Sequence, residues 1–338
     1  MSVPATITTR VLNGFDDPSF TPTDWERVQA VGQSDVVFLT WHWQSAWWET
    51  FGRGNLLLIV AERDGDAVAL APFFAEAGML YFTGSGGSDY LDFVGNISDP
   101  EILDVLLIEA RRHVSDFIGF VFYHVPESSG TAASLRPAAG RLDLRIFEEN
   151  NLSAPALKFG LDKTIAIEAA NKKSLVRHER GFTREHPLKV EQCNDGKIIG
   201  IRLDEFFAQH IERWAATPTP SLFCDEKQKT FYRNLTRAAE NAGWLRFMTV
   251  VWNGRPIAFH FGFCYRGNFL WYKPSFAVDL ARRSPGEVLL RQLLLAAVEE
   301  GAHTFDFGLG DEPFKKRFAN RTSVVRNWGL YDPGAIKG

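Results

Sequence analysis

Two stretches of this chain repeat one pattern, and the repeat restricts the fold more than any other feature. LLLIVAERDGDAVALAPFF starts at Leu56 and LRFMTVVWNGRPIAFHFGF at Leu245; each is an apolar run, a turn dipeptide and a second apolar run. Asp64-Gly65 and Asn253-Gly254 stand at the same offset in the two segments. Both dipeptides tolerate the positive φ that a two-residue hairpin turn demands, so each stretch is expected to be a β-hairpin. Two helical patterns precede each hairpin: TPTDWERVQAVG and TWHWQSAWWETFG in the first half, LDEFFAQHIERWAA and KQKTFYRNLTRAAENAG in the second. Behind each hairpin come an apolar strand, a helix (EILDVLLIEARRHVSD, then PGEVLLRQLLLAAVEEG) and a further strand (FIGFVFYHV, then HTFDFGLG). The order helix-helix-strand-strand-strand-helix-strand occurs twice. A chain of 338 residues built this way is expected to be a tandem mixed α/β (α+β) protein of two similar domains. The polar, turn-rich EENNLSAPA sets the boundary, giving domains 1–155 and 156–338.

Charge divides the same way. Residues 1–150 hold 9 Lys+Arg against 21 Asp+Glu and no lysine; the remaining 28 and 20 fall in residues 151–338, so balances of -12 and +8 sum to the net -4. An anionic ligand is therefore expected on the second half, with charge complementarity between the halves as the plainer alternative. No apolar run reaches the length of a membrane helix, and VLLRQLLLAAV is interrupted by Arg291. MSVPATITTRVLNG lacks the basic and apolar regions of a secretory leader. Cys193, Cys224 and Cys264 are too few and too scattered for a disulfide framework or a zinc site. A reduced, cytoplasmic protein without a metal and without membrane insertion is the expectation. H-E-x-x-H, Walker and G-x-S-x-G patterns are all missing, which disfavours metalloprotease, NTPase and serine-hydrolase readings.

The richest local signal is ARRSPGEVLLRQ, residues 281–292, where two arginines and a Ser-Pro-Gly turn open onto an apolar helix. Ser284 suits the cap and Pro285 the first turn; Gly286 admits a ligand to the backbone, and the helix dipole favours an anion there. Arg282 and Arg283 add charge for phosphate. The alternative is a routinely capped helix with solvated arginines.

Strand, basic turn, glycine, apolar helix and acid-bearing strand together resemble the acyl-CoA site of the GNAT acetyltransferase superfamily, whose turn cradles the CoA pyrophosphate. SPGEVLLRQLLLAAVEEGAHTFDFGLGDEPFKKRFA is similar to the GNAT-type acetyltransferases linked to bacterial cellulose biosynthesis, with their S-P-G, D-F-x-x-G and [YF]-K-x-x-[FW] pattern; FLTWHWQSAWWETFG and SDYLDFVG match it in the first half. The resemblance implies a tandem GNAT-like fold, acetyl-CoA or another acyl-CoA as donor, and a small-molecule or glycan amine as acceptor. The same fold is shared by Fem-type peptidyltransferases, which use aminoacyl-tRNA; otherwise nucleic acid is not expected. The loop departs from the superfamily's [QR]-x-x-G-x-[GA]: Arg283-Ser284-Pro285-Gly286-Glu287-Val288 keeps one glycine and adds an acid that would repel pyrophosphate if turned inward.

Acyl transfer to an amine needs a base for the amine, a polarised carbonyl and a proton for the leaving thiolate. Asp306 is the first candidate base, an acid in an apolar strand beside the turn, with capping of GLGDEP as its structural alternative. His260 in AFHFGF is the second and Tyr272 the candidate acid, each with core packing as the alternative. Lys315, after the Gly308/Gly310 turn, is a candidate phosphate or acceptor ligand. Asp89, Tyr90 and Asp92 are candidates for binding a cationic amine acceptor along an interdomain cleft. FTGSGGSDYLDFVG is glycine-rich, but no helix follows at once, so it is not a dinucleotide loop. Lys172, Lys173, Arg177, Arg180 and Arg184 form a basic helix that is read as a solvated face, or as a tRNA contact in the Fem-like alternative. Trp41, Trp43, Trp47 and Trp48 are read as first-domain core, with sugar stacking as the alternative. A non-catalytic scaffold for an exopolysaccharide apparatus is the third reading; oligomeric state is left open.

Overall fold

The computed structural model describes residues 6–215 and 217–335. Residues 1–5 of the stretch read for a leader, and Ala216 at the end of LDEFFAQHIERWAA, lie outside them. The chain forms two compact units, Met1–Ser153 with Ser323–Gly338, and Ala154–Thr322. Its final segment thus belongs to the first unit, whereas sequence order alone assigned it to the second.

The first unit holds β1 (Ile7–Leu12), α1 (Pro22–Val31), α2 (Trp41–Phe51), β2 (Asn55–Arg63), β3 (Asp66–Glu76), β4 (Met79–Phe82), β5 (Val94–Gly95), α3 (Pro100–Arg112), β6 (Gly119–Pro126) and α4 (Gly130–Arg141). Strand β7 (Arg145–Lys158) leads into the second unit. There follow α5 (Thr164–Ala170), α6 (Lys173–Thr183), β8 (Leu188–Cys193), α7 (Gly196–Trp214), α8 (Glu226–Ala238), β9 (Leu245–Trp252), β10 (Arg255–Tyr265), β11 (Asn268–Phe276), α9 (Pro285–Glu299), β12 (Thr304–Asp306) and α10 (Pro313–Lys316). Strand β13 (Arg321–Tyr331) returns to the first unit.

Both sequence-read hairpins form, β2–β3 and β9–β10, antiparallel throughout. Asp64 and Gly65 have φ of 53° and 90°, Asn253 and Gly254 of 49° and 75°, the left-handed pair such a turn requires. In each unit the third strand turns back antiparallel on the hairpin and then pairs in parallel with the strand after the next helix: β4 with β6, and β11 with β12. This is the tandem mixed α/β architecture that the repeated order implied.

The cores follow the same plan. In the first unit Phe73, Phe82, Phe120 and Phe122 mesh on the α3 side, all fully buried. In the second, α9 supplies Val288, Leu289, Leu293 and Leu294 to a core with Phe269 and Phe305, while α5 and α6 pack on α9 from outside. On the other side of that sheet, Phe206 and Phe207 of α7 meet Phe223, Phe247 and Phe261. Trp43 and Trp47 of α2 are buried as read, and the Trp43 indole donates to Ser88 Oγ at 2.8 Å.

Leu293 is wholly enclosed, so Leu293→Ala removes several methyl groups' worth of contact and leaves a cavity. A loss of about 2–5 kcal/mol is expected in urea unfolding; a change under about 1 kcal/mol would show that the α9 packing is wrong.

Candidate active site

The second unit's sheet comes apart at one place. Parallel pairing of β11 with β12 covers Asn268↔Thr304, Phe269↔Phe305 and Leu270↔Asp306, and ends there, although β11 runs on to Phe276. On its other edge β11 breaks register with β10 at the same point: Phe263 pairs Leu270 and Phe261 pairs Lys273. Two residues of β11, Trp271 and Tyr272, therefore oppose Gly262 alone, which is a β-bulge, and a bulge bends and twists its strand.

His260 and Gly262 make that bulge possible. The Tyr272 N–H, displaced from the ladder, donates to His260 Nε2 at 3.1 Å. The imidazole lies so close to Gly262 that a Cβ there would sit 2.0 Å from His260 Cε1. His260 is completely buried between Phe269 and Trp271. Burial brings its pKa down to about 3, against a smaller opposing pull from the Leu270 carbonyl. The ring is neutral, and its other nitrogen, Nδ1, is enclosed without a partner. The sequence signal was the glycine two residues after the histidine in AFHFGF.

The three sequence-read catalytic candidates divide between the faces of the sheet. His260 points to the α9 core with Phe269 and Trp271. Phe305 and Phe307 join that core too, so alternation turns Asp306 to the opposite face, toward α7 and α8. Tyr272 lies on that face, its ring 5.2 Å from Phe263 and 6.5 Å from Tyr232 of α8. Asp306 and Tyr272 thus share a face where β11 and β12 part, and His260 stands behind them. Asp306 is 7% exposed, and its Oδ1 accepts the Gly308 N–H at 2.8 Å.

The basic turn differs from its sequence reading. Ser284 adopts a left-handed conformation, φ 59°, and its side chain does not cap α9. The Arg283 guanidinium binds the Glu185 carboxylate and the Gly181 carbonyl, and lies on the rings of Phe182 and Trp252. It serves as a structural clamp onto the α6 segment, while Arg282 is exposed. Glu287 is drawn outward, onto Arg317 at 2.9 Å and His178 at 3.0 Å. Gly286 packs against Phe276 of β11, where a Cβ would come within 3.2 Å of the ring. Lys315 is 3% exposed, and its ammonium bonds the Leu309 carbonyl at 2.5 Å and Glu312 at 2.8 Å. It ties down the turn after Asp306. On α6, Lys173, Arg177 and Arg180 are exposed, as is Arg184 after it; Lys172 bonds the Arg317 carbonyl.

In the first unit, β4 and β6 pair over Met79↔Gly119 to Tyr81↔Val121 and then part in the same manner. There the segment 83–93 returns to β6: the Leu91 N–H donates to the His124 carbonyl at 3.0 Å, and His124 Nδ1 lies 2.7 Å from the Ser88 carbonyl. Asp89 is partly exposed, and Tyr90 is buried near Phe38. Asp92 is turned inward, accepting from Thr131 Oγ1 and from the Phe93 N–H. Burial pushes its pKa up to about 6.

The chain is similar to known proteins in part of its sequence and in its fold. Residues 169–316 match the acetyltransferase (GNAT) domain family, a stretch wholly inside the second unit. No curated protein matches the sequence. Among solved structures, FemX is similar over 94% of this chain and 96% of its own, with TM-score 0.67 and 12% identity. The C-terminal domain of a putative lysylphosphatidylglycerol synthetase from Agrobacterium fabrum has TM-score 0.55 and 15% identity, covering 93% and 94%. A tandem GNAT protein from the clavulanic acid biosynthesis pathway has TM-score 0.53 and 10% identity, covering 98% and 100%. The fold is therefore tandem GNAT-like. Among the described residues no helix is long and apolar enough to cross a membrane, and no group of three or more His, Cys, Asp or Glu gathers as a metal site.

Two titrations test the buried groups. His260 and His210 both have pKa values of about 3 in the fold, far below the free value, so the unfolded chain takes up protons first as pH falls. Their contribution to stability is complete above about pH 6.5 and is lost toward pH 3. Neither imidazole is expected to titrate between pH 5 and 8 by NMR; an inflection for His260 in that window overturns the buried neutral ring. Asp92 has the opposite sign. Its raised pKa favours the protonated native state, so its penalty is absent below about pH 4 and complete above about pH 6. Asp92→Asn is expected to stabilise at pH 7 by about 1–3 kcal/mol and to make little difference at pH 4. Equal effects at both pH values would refute the buried carboxylate.

Proposed function

We propose that the chain is an N-acyltransferase of the GNAT type, taking an acyl group from acetyl-CoA or another acyl-CoA and delivering it to an amine. The observation that carries this reading is the parting of β11 from β12 at Leu270/Asp306, with a bulge at Trp271–Tyr272 and the first turn of α9 packed on Phe276. The family match over 169–316 supports it. In the first unit the matching gap between β4 and β6 is bridged by the segment 83–93, and the start of α3 already holds the Asp99 carboxylate, which accepts the Glu101 N–H at 2.9 Å and pairs with Arg63. The donor site is accordingly assigned to the second unit, and the first is read as a domain without one.

In this reaction the amine nitrogen attacks the thioester carbonyl, the C–S bond breaks, one amine proton passes to a base and the thiolate takes up a proton. Asp306 is assigned as the base and Tyr272 as the acid, since both face the same side of the gap. His260 does neither, because its neutral ring holds backbone on the other face. The acceptor's identity and a place in exopolysaccharide synthesis rest on the motif resemblance alone and are part of the proposal.

A second reading, an aminoacyl-tRNA-dependent Fem-like transferase, draws on the exposed stripe of Lys173, Arg177, Arg180 and Arg184 and on the likeness to FemX. The deciding experiment follows thiol release from acetyl-CoA with a panel of amines and polyamines. Asp306→Asn is expected to lower kcat by about 100-fold or more, with acetyl-CoA affinity and melting temperature unchanged. No acetyl-CoA binding by the intact protein, with salt-dependent RNA binding lost on neutralising the α6 stripe, would transfer the assignment to the second reading. Binding of neither leaves a scaffold.

A further inference from the structure

Enclosed arginines in this fold are matched with acids. Among the described residues, every other partly buried arginine has a carboxylate at ion-pair distance, Arg246 on Glu300 and Arg291 on Glu179 being the most enclosed. Arg213, at the end of α7, is the exception. Its guanidinium carbon lies 4.2 Å from the centre of the Phe276 ring and 5.1 Å from that of Trp214, and no carboxylate reaches it. Burial lowers its pKa, and no acid acts to raise it again. A guanidinium that gives up water without gaining a partner is costly, and an aromatic face recovers only part of that cost.

The end of α7 carries orphaned polar groups of both kinds, the acceptor Gln209 Oε1 among them. The Trp214 indole N–H is buried without an acceptor, and so is the hydroxyl of Ser275, which is fully buried. Ser275 stands opposite Phe259, whose ring contacts Phe206 of α7, so its side chain faces α7 as well. Lys273 is close enough to act, with Arg213, on His210, which burial and these two cations hold neutral, with a pKa of about 3. The Phe276 ring that carries Arg213 is also the one that meets Gly286.

We propose that Arg213, with Trp214, forms an oxyanion subsite of the second unit, for a phosphate or carboxylate group of a substrate. A planar guanidinium fits either group with two parallel hydrogen bonds, and the indole supplies a further donor. Arg213 then provides the charge that Arg283 does not, because Arg283 is occupied by Glu185. This assignment deepens the acyltransferase reading, where the oxyanion comes either from the donor's phosphates or from an acidic group on the acceptor, but its test does not depend on that reading.

The test is calorimetric titration of the full chain, and of R213M and R282A, with inorganic pyrophosphate, acetyl-CoA and acetyl-pantetheine, which has no phosphates. Methionine keeps the apolar packing on Phe276 and Trp214, and an unchanged melting temperature confirms it. Pyrophosphate affinity is expected to fall at least tenfold in R213M and to stay within twofold in R282A. If acetyl-CoA affinity falls with it while acetyl-pantetheine binding does not, the oxyanion is the donor's phosphate. If only pyrophosphate weakens, the subsite stands and serves the acceptor. Pyrophosphate bound through Arg213 by a chain that ignores acetyl-CoA sinks the acyl-CoA reading and leaves the subsite standing. Pyrophosphate binding that is absent in the wild type, or equal in wild type and R213M, overturns the subsite.

Discussion

One backbone amide governs the shape of the second unit. The Tyr272 N–H has lost its ladder partner, and a buried N–H with no acceptor would cost roughly 1–3 kcal/mol. His260 Nε2 takes it at 3.1 Å, which a ring can do from inside a strand only because Gly262 has no Cβ to collide with it. With that bond made, β11 can bulge at Trp271–Tyr272, bring Tyr272 and Lys273 to one face and turn away from β12. The gap where the chemistry is assigned depends on this histidine without containing it. Neutrality matters as much as position, since an imidazolium at Nε2 would face an N–H and could not accept from it.

The first unit faces the same geometric problem with different chemistry. Its parallel pair also parts after three residues, but the chain itself crosses the opening. The glycine-rich segment 83–93 is held by Leu91 and Ser88 against His124 and by the Trp43 indole on Ser88 Oγ. At the matching helix start Asp99 supplies the negative charge that a helix N-terminus favours. At the matching start in the second unit, α9 has no side-chain cap. The two copies of the frame thus differ at the helix that follows the third strand.

What could be read from the chain was whatever is local. Asp64-Gly65 and Asn253-Gly254 dictate hairpins through their own backbone preferences, and the apolar stripe of α9 declares its buried face. The return of β13 to the first unit is not legible, because it follows from pairing β13 with β6, some two hundred residues earlier. Ser284 looked like a cap by residue type, yet its left-handed φ leaves the hydroxyl out of reach of the first turn. Arg283 looked like a phosphate ligand because its neighbours in sequence are Arg282 and Ser284; in the fold its neighbours are Glu185, Phe182 and Trp252. Arg213 is illegible in the sequence for the same reason. In HIERWAA it is one charge on a helix, and only the fold shows that no acid comes to meet it.

Glu287 shows how the two kinds of information combine. By sequence it is an acid beside the one glycine of the turn, placed to repel the anion the turn was read to bind. In the fold Arg317 and His178 hold its carboxylate on the side of α6 and α10, at 2.9 and 3.0 Å. There it still interacts favourably with the α9 dipole, while its charge is offset by a partner and is kept from the Phe276 side. The charge pattern on that turn therefore departs from the order of its residues: Arg283 is neutralised by Glu185, the acid is drawn off, Arg282 stays exposed, and a further uncompensated positive charge comes from a helix seventy residues upstream. An anion arriving at Phe276 would meet Arg213 first.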